Sequence, residues 1–212
     1  MDCLPSLRHL DISDCPALES FPEMGFLSTG LQRLVIHRCQ NLSLLPIRIQ
    51  SHFPSLRELS IRNCPNVVSL IEAVGGVQRN LTKLQIWDCE KLRRPIPEWG
   101  LGMLSSLERL DVIGRCPATA DVVSFPDDNC CWLPTSLKYL RIGYFTSLES
   151  VSMGLQMLTS LEDLAIEQCP KLRSLPKEAL PFSLERMFIS GCPLLIKDDF
   201  SERKGLYVDY YD

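Results

Sequence analysis

Signatures of membrane and secreted proteins are missing from this sequence of 212 residues. No segment reaches the roughly 18 consecutive apolar residues that a membrane-spanning helix requires, and the charged fraction of 23% is high for a bilayer protein. The first residues, Met1 to Pro5, lack the basic and apolar parts of a secretory signal. These absences predict a protein of the cytoplasm, or of the cytoplasm and the nucleus, that is neither secreted nor bound to a membrane.

Recognisable catalytic motifs are missing as well. The sequence has three histidines, and it contains no H-E-x-x-H pair, no G-x-S-x-G elbow and no G-x-x-x-x-G-K-[ST] phosphate loop. We therefore expect a protein that is not an enzyme and that holds neither a cofactor nor a metal ion. The net charge of -4 gives no general attraction to polyanions, so nucleic acid is not an expected partner.

Leucine, in contrast, is abundant, with 35 of the 212 residues. A period of 20–29 residues with the apolar motif L-x-x-[L/M]-x-[I/V] is the signature of a leucine-rich repeat. The pattern predicts an α/β solenoid: a leucine-rich repeat horseshoe of about eight repeats, with a parallel β-sheet on the concave side and a mostly irregular convex side. The eight copies of the motif begin at Leu7, Leu31, Leu56, Leu81, Leu107, Leu137, Leu161 and Leu184.

The repeats also define the domain organisation. Residues 1–197 form the predicted repeat domain, and residues 198–212 form a polar C-terminal tail or a cap on the last repeat. The fifth repeat carries an insertion, residues 117–133, which we expect to be a mobile loop. It includes the adjacent Cys130 and Cys131, whose role the sequence leaves open. Because the repeats begin almost at Met1 without a polar cap, we expect a fragment of a longer protein or a truncated gene product.

Most of the cysteines occupy one position of the repeat. Their spacing of about 24 residues is unlike the paired spacing of metal ligands, and disulfides are typical of small secreted domains. We therefore predict small, buried, free thiols behind each strand. The column consists of Cys15, Cys39, Cys64, Cys89, Cys116, Cys169 and Cys192, with Phe145 in the sixth repeat.

The candidate binding residues come from the third, fifth and seventh positions of the motif, which face the solvent side of the predicted sheet because side chains alternate along a strand. Their chemistry varies, as it would on a recognition surface and equally on a surface under no constraint. Trp87 has two interpretations: an exposed anchor for a protein partner, or a ring lying flat under neighbouring long side chains. The candidates are Arg33, His37, Glu58, Arg62, Lys83, Gln85, Trp87, Arg109, Asp111, Tyr139 and Arg141.

One string, L-x-x-L-x-I-x-x-C-P-x-L-x-S-L-P, runs from Leu161 to Pro176 and recurs with one change from Leu7 to Pro22. It resembles the repeats of plant nucleotide-binding leucine-rich repeat disease-resistance proteins of the coiled-coil type, and the resemblance covers nearly the whole chain. In that family the repeats sense pathogen effectors, directly or through a guarded host protein, and hold the nucleotide-binding module inactive. The resemblance implies these same partners for this chain: an effector, a guarded host protein, or the nucleotide-binding domain of the same or a related receptor.

Two features qualify this resemblance. The family's phosphate loop and N-terminal signalling region are absent from this sequence, so the chain alone is expected neither to bind ATP nor to signal.

An alternative function is that of a substrate-recruiting adaptor of a ubiquitin ligase of the F-box type, since the repeats of those adaptors also contain cysteine. F-box-type repeats tend to continue after the cysteine with an Ile-Thr-Asp-like turn and a glycine, whereas five repeats here continue with proline, which favours the receptor.

Overall fold

The structure is a computed structural model that describes residue 4 and residues 6–21, 28–45, 53–70, 80–127, 132–196 and 205–211. Each copy of the motif forms a five-residue strand that begins at the third position and ends at the seventh. These eight strands are β1 His9–Ser13, β2 Arg33–His37, β3 Glu58–Arg62, β4 Lys83–Trp87, β5 Arg109–Ile113, β7 Tyr139–Gly143, β9 Asp163–Glu167 and β10 Arg186–Ser190. Three further strands are β6 Ser124–Phe125, β8 Ser150–Val151 and β11 Tyr207–Tyr211.

The five-residue strands form one parallel sheet, in the order β1-β2-β3-β4-β5-β7-β9-β10-β11. Pairing keeps the repeats in register, so that Leu59 of β3 lies opposite Leu84 of β4, and Ile61 lies opposite Ile86. Since side chains alternate along a strand, the fourth and sixth positions of every motif enter the interior. The sheet confirms the predicted leucine-rich repeat solenoid.

The core is a continuous ladder of these apolar positions. Leu34, Leu59, Leu84 and Leu110 are each at most 1% exposed, and full burial of one such side chain stabilises the fold by about 1.5–3 kcal/mol. In the first repeat, Leu10 is only partly buried. The inner repeats are covered on both sides by their neighbours, which is how stacking supplies stability in a repeat protein.

The convex side contains short helical turns rather than long helices. Within the described residues it has 3-10 turns at Ile96–Trp99, Leu101–Met103, Met153–Met157 and Lys177–Ala179, and one α-helix, α1, at Pro117–Ala120. Trp99 is buried, and its Nε1 donates to the carbonyl oxygen of Arg94 at 2.8 Å. None of the helices in this part of the chain has the length and apolarity needed to cross a membrane.

Much of the insertion in the fifth repeat is packed, which differs from the mobile loop expected for residues 117–133. It supplies α1 and β6, and β6 pairs in parallel with β8. Phe125 is buried and packs edge to face against Phe145, with 5.6 Å between ring centroids. The ring of Phe125 thus extends the core into the insertion. The polar and turn-forming residues around it in the sequence gave no indication of this packing. Cys130 and Cys131 lie outside the described residues.

A left-handed residue follows each motif strand and turns the chain toward the convex side. At Asp88 φ is 50°, and its N–H donates to the carbonyl oxygen of Ile113 in the next repeat at 2.9 Å. Asp and Asn tolerate this conformation better than most residues, and glycine adopts it without strain. The residues with positive φ at this position are Asp14, Arg38, Asn63, Asp88, Gly114, Tyr144, Gln168 and Gly191.

The cysteine column lies behind these turns, as predicted. Cys39, Cys64 and Cys89 are buried free thiols, and the thiol of Cys64 donates to the carbonyl oxygen of Arg62 at 3.3 Å. Burial raises the pKa of each of these three thiols, because a thiolate would lose its hydration. They remain protonated and act as small packing groups.

The last strand, β11, comes from the segment predicted to be a polar tail. Val208 lies opposite Met187 and Tyr210 lies opposite Ile189, so these two residues take the inward positions of an additional repeat. The sheet therefore extends past residue 197, where the sequence motif ends. The segment contains no L-x-x-L-x-I string, and only the alternation of Val208 and Tyr210 with polar neighbours indicates a strand.

Candidate protein-binding face

The candidate residues lie on five neighbouring strands of the concave face. In-register pairing arranges them in columns, with the third-position column running from Arg33 on β2 to Tyr139 on β7. Seven of the eleven join one another through side-chain contacts: Arg62, Gln85, Trp87, Arg109, Asp111, Tyr139 and Arg141. Arg33, Glu58 and Lys83 form a separate cluster of ion pairs, and the side chain of His37 makes no polar contact with the described residues.

Asp111 is the centre of this arrangement. Its carboxylate accepts hydrogen bonds from Arg109, with Nε at 2.9 Å and Nη2 at 3.2 Å, and from Gln85 Nε2 at 3.1 Å. The motif pattern placed Asp111 on the solvent face, yet its exposure is 0%, because these longer side chains lie over it. A carboxylate removed from water needs such donors. The bonds to Asp111 raise the pKa of Arg109 further above its ordinary value.

Arg62 is held in place by two more bonds. Its Nε donates to Ser60 Oγ at 2.9 Å, and its Nη2 donates to Gln85 Oε1 at 2.7 Å. Ser60 and Gln85 are each 5% exposed, although the motif pattern places both on the solvent side. On β3 to β5 the fifth position thus forms a buried polar layer of Ser60, Gln85 and Asp111 beneath the side chains of Arg62 and Arg109.

Trp87 lies between two guanidinium groups. The Cζ atom of Arg62 is 4.5 Å from the centroid of the ring, and that of Arg141 is 5.2 Å away. Arg141 is itself fixed by two bonds to Glu167, at 2.9 and 2.8 Å. Trp87 is therefore half-buried, which agrees with a ring covered by neighbouring side chains rather than with a free anchor. Its Nε1 has no hydrogen-bond partner among the described residues.

The remaining candidates extend this network on the third-position column. Arg109 lies over the ring of Tyr139, with 3.8 Å from Cζ to the centroid. Burial is the main cause that raises the pKa of Tyr139, so its hydroxyl stays neutral. Glu58 lies between Arg33 at 3.7 Å and Lys83 at 3.9 Å. Such exposed ion pairs contribute at most about 1 kcal/mol, so this separate cluster is less rigid than the network around Asp111.

A groove of about 640 Å³ lies beside Trp87, where the strands end and the left-handed turns begin. Its walls include Trp87, Ile113, Arg141 and Glu167. Glu167 is not among the candidates from the motif, although it occupies the seventh position three strands from Trp87, which is the signal that could have identified it. In the part of the chain that the structure describes, no three His, Cys, Asp or Glu side chains come together as metal ligands. The chemistry of this face is that of fixed cations and aromatic rings.

The sequence is similar to plant disease resistance proteins. No family model matches the chain. The sequence is 35% identical to the Arabidopsis thaliana disease resistance protein At3g14460 over 92% of this chain and 15% of that protein. It is 30% identical to SUPPRESSOR OF npr1-1, CONSTITUTIVE 1 of the same plant over 91% of this chain and 12% of that protein. The chain thus spans under a fifth of the length of these relatives.

A solved structure supports the fold independently. The leucine-rich repeat domain of the type III effector XopL superimposes on this chain with a TM-score of 0.59 and 25% sequence identity, covering 85% of this chain and 68% of that one. The homologues are plant disease resistance proteins, and the fold is that of a leucine-rich repeat domain.

Proposed function

We propose that this chain is the effector-sensing and autoinhibitory repeat region of a plant intracellular immune receptor of the coiled-coil nucleotide-binding type, acting in the cytoplasm. Its partners are a pathogen effector or a guarded host protein, and the nucleotide-binding domain of the same or a related receptor. The homology to plant disease resistance proteins supports the receptor class. It also favours this function over a ubiquitin-ligase adaptor, which no structural observation supports.

The observation that carries the proposal is the fixed network on the concave face. Arginine, tryptophan and tyrosine are the residues that most often dominate binding energy at protein interfaces. Here Arg62, Arg109 and Arg141 are already held by hydrogen bonds to Gln85, Asp111 and Glu167. A partner that meets side chains already fixed loses less conformational entropy on binding. A rigid concave sheet of this kind is how solenoids present an extended surface to a protein.

Selection from a displayed library of effector and host proteins tests effector sensing. Each recovered partner is measured against the concave variant Arg62→Ala/Lys83→Ala and against a matched variant, Lys91→Ala/Arg93→Ala, called the convex variant. The convex variant also removes two positive charges, but from exposed positions in the connection that follows β4. We expect the concave variant to weaken binding by about tenfold or more and the convex variant to leave it within about twofold. Equal losses in the two variants, or a loss in the convex variant alone, contradict the proposal.

Restraint is tested separately. The chain is mixed with the purified nucleotide-binding domain of a matching relative, and association is measured by calorimetry with the same pair of variants. We expect the nucleotide-binding domain to bind the unmodified chain, and one of the two variants, concave or convex, to weaken this binding more than the other does. No association with any such domain removes the autoinhibitory part of the proposal and leaves effector sensing untouched.

A further inference from the structure

A narrow slot opens on the concave face near its C-terminal end, away from Trp87. It has a volume of about 260 Å³, and its walls include Tyr139, Phe188 and Tyr211. Ala165 forms the floor and is 2% exposed. In the fifth-position column Ala165 lies between Arg141 and Phe188, so the slot exists because one short side chain stands between two long ones.

The charge of the concave sheet changes sign along its length. Counting each strand with the residue before it, β2 to β4 carry four basic residues, Arg33, Arg57, Arg62 and Lys83, against one carboxylate, Glu58. Strands β9 to β11 carry the carboxylates of Glu162, Asp163, Glu167, Glu185 and Asp209 against one cation, Arg186. The slot spans β7 to β11, so three of its four strands belong to the acidic end of a bipolar surface. The fourth strand, β7, adds Lys138 and Arg141, which are already paired with Glu108 and Glu167.

The cations of the chain near the slot already have other partners. Arg186 pairs with Asp163, and Arg141 pairs with Glu167. Among the described residues, the guanidinium–ring contacts involve the rings of Trp87 and Tyr139, and none involves Phe188 or Tyr211. Tyr211 is 60% exposed, and its hydroxyl donates to Asp209 at 2.7 Å. Phe188 is half-buried, and because both rings line the slot, a cation from outside the chain can reach them there.

We propose that this slot binds one cationic side chain, an arginine or a lysine, of the protein partner. The inference depends on the proposed function only in that the partner is a protein. A cation is attracted to the aromatic faces and to the excess negative charge of β9 to β11 that remains after Asp163 and Glu167 are paired. Its aliphatic stem packs on Ala165 and Phe188. A leucine side chain gains apolar burial alone, and a glutamate is repelled. The partner consequently places its basic end over β9 to β11 and its acidic end over β2 to β4.

Nuclear magnetic resonance with four small probes tests the slot without knowledge of the partner. The full chain is titrated with the N-acetyl, N-methylamide derivatives of arginine, lysine, leucine and glutamate, and the ring signals of Phe188 and Tyr211 are followed. We expect saturable shifts with arginine or lysine at dissociation constants of about 1–10 mM, several-fold weaker binding of leucine, and none of glutamate. Added salt weakens the cation binding, because it screens the carboxylates.

Two variants locate the binding. Phe188→Ala removes one wall, and Ala165→Leu fills the slot while keeping the aromatic rings and carboxylates; each abolishes the shifts. Val35→Ala, at the same column position on β2, is the control and leaves them intact. Leucine binding as tightly as arginine, binding of glutamate, or no response to any probe overturns the proposal. Because the probes are not partners, loss of the slot leaves the Arg62 and Lys83 test of the proposed function standing, and the reverse also holds.

Discussion

Replacing Arg109 with methionine tests whether the buried carboxylate of Asp111 is the centre of the concave network. Methionine keeps most of the aliphatic stem but removes both hydrogen bonds, at 2.9 and 3.2 Å. Asp111 then remains buried with Gln85 as its one described side-chain donor. Removing one partner of a fully buried ion pair costs about 3–5 kcal/mol. The Arg109 side chain is 36% exposed, so water screens the pair and we expect about 2–3 kcal/mol.

Urea unfolding followed by far-ultraviolet circular dichroism measures this loss. In thermal unfolding of a chain of this size, the same loss of unfolding free energy lowers Tm by about 4–12 °C. Arg33→Met is the matched control, because Arg33 occupies the same column, is 52% exposed and has a single contact with Glu58 at 3.7 Å. We expect the control to change the free energy of unfolding by less than about 0.5 kcal/mol.

A double-mutant cycle separates the charge from the packing. In Arg109→Met/Asp111→Asn the buried group is a neutral amide, so the double variant should be more stable than the sum of the two single changes predicts, by about 1 kcal/mol or more. Additivity within about 0.3–0.5 kcal/mol, or an Arg109→Met variant as stable as Arg33→Met, would refute the reasoning that Arg109 compensates a buried charge.

Three further changes test the scaffold. Gly114→Ala should lower the free energy of unfolding by at least about 1 kcal/mol more than Gly205→Ala does, as measured by urea unfolding. Both glycines have positive φ, but a Cβ at Gly114 would lie 2.7 Å from the backbone nitrogen of Asp88, whereas a Cβ at Gly205 meets nothing within 4 Å. Equal losses would contradict the close approach at Gly114. Leu84→Ala should cost about 2–5 kcal/mol through a core cavity, since Leu84 is 0% exposed, and a neutral result would mean that the inward face is assigned wrongly. Burial raises the pKa of the Cys89 thiol above its ordinary value of 9.0, so this thiol stays protonated as the pH rises to 9. In the folded protein at pH 8, iodoacetamide should modify half-exposed Cys15 well before Cys89, and in urea it should modify both at similar rates, as measured by mass spectrometry of the peptides. Early labelling of Cys89 in the folded protein would contradict its burial.

The motif predicts the faces of the strands but not the depth of each side chain. Alternation correctly places Leu84 and Ile86 inside, because the period of a strand is fixed by backbone geometry. Alternation also places Gln85 and Asp111 on the solvent side of the sheet, yet both are buried beneath the side chains of Arg62 and Arg109. Which long side chain folds over which short one depends on contacts between repeats some 25 residues apart, and a one-dimensional pattern contains no such contacts.

The same limit explains what the sequence analysis missed. The strand β11 has Val208 and Tyr210 at the inward positions, so it fits the sheet without matching the motif. The slot at Ala165 arises from the contrast between one short residue and its neighbours on other strands. Neither is visible without the register, which in turn follows from the stacking of all the repeats.

The connections between neighbouring strands differ in length, yet all the strands pair in the same register. Strands β5 and β7 pair as directly as β3 and β4 do, with Leu110 opposite Leu140, although the insertion lies between them. The spacing of the concave columns is therefore independent of the length of chain between strands. Unequal recombination within such a gene could duplicate or delete a whole repeat and leave every other column aligned. A lineage could then change the length of the concave surface by copying repeats and its composition by point mutation, two changes that do not depend on each other.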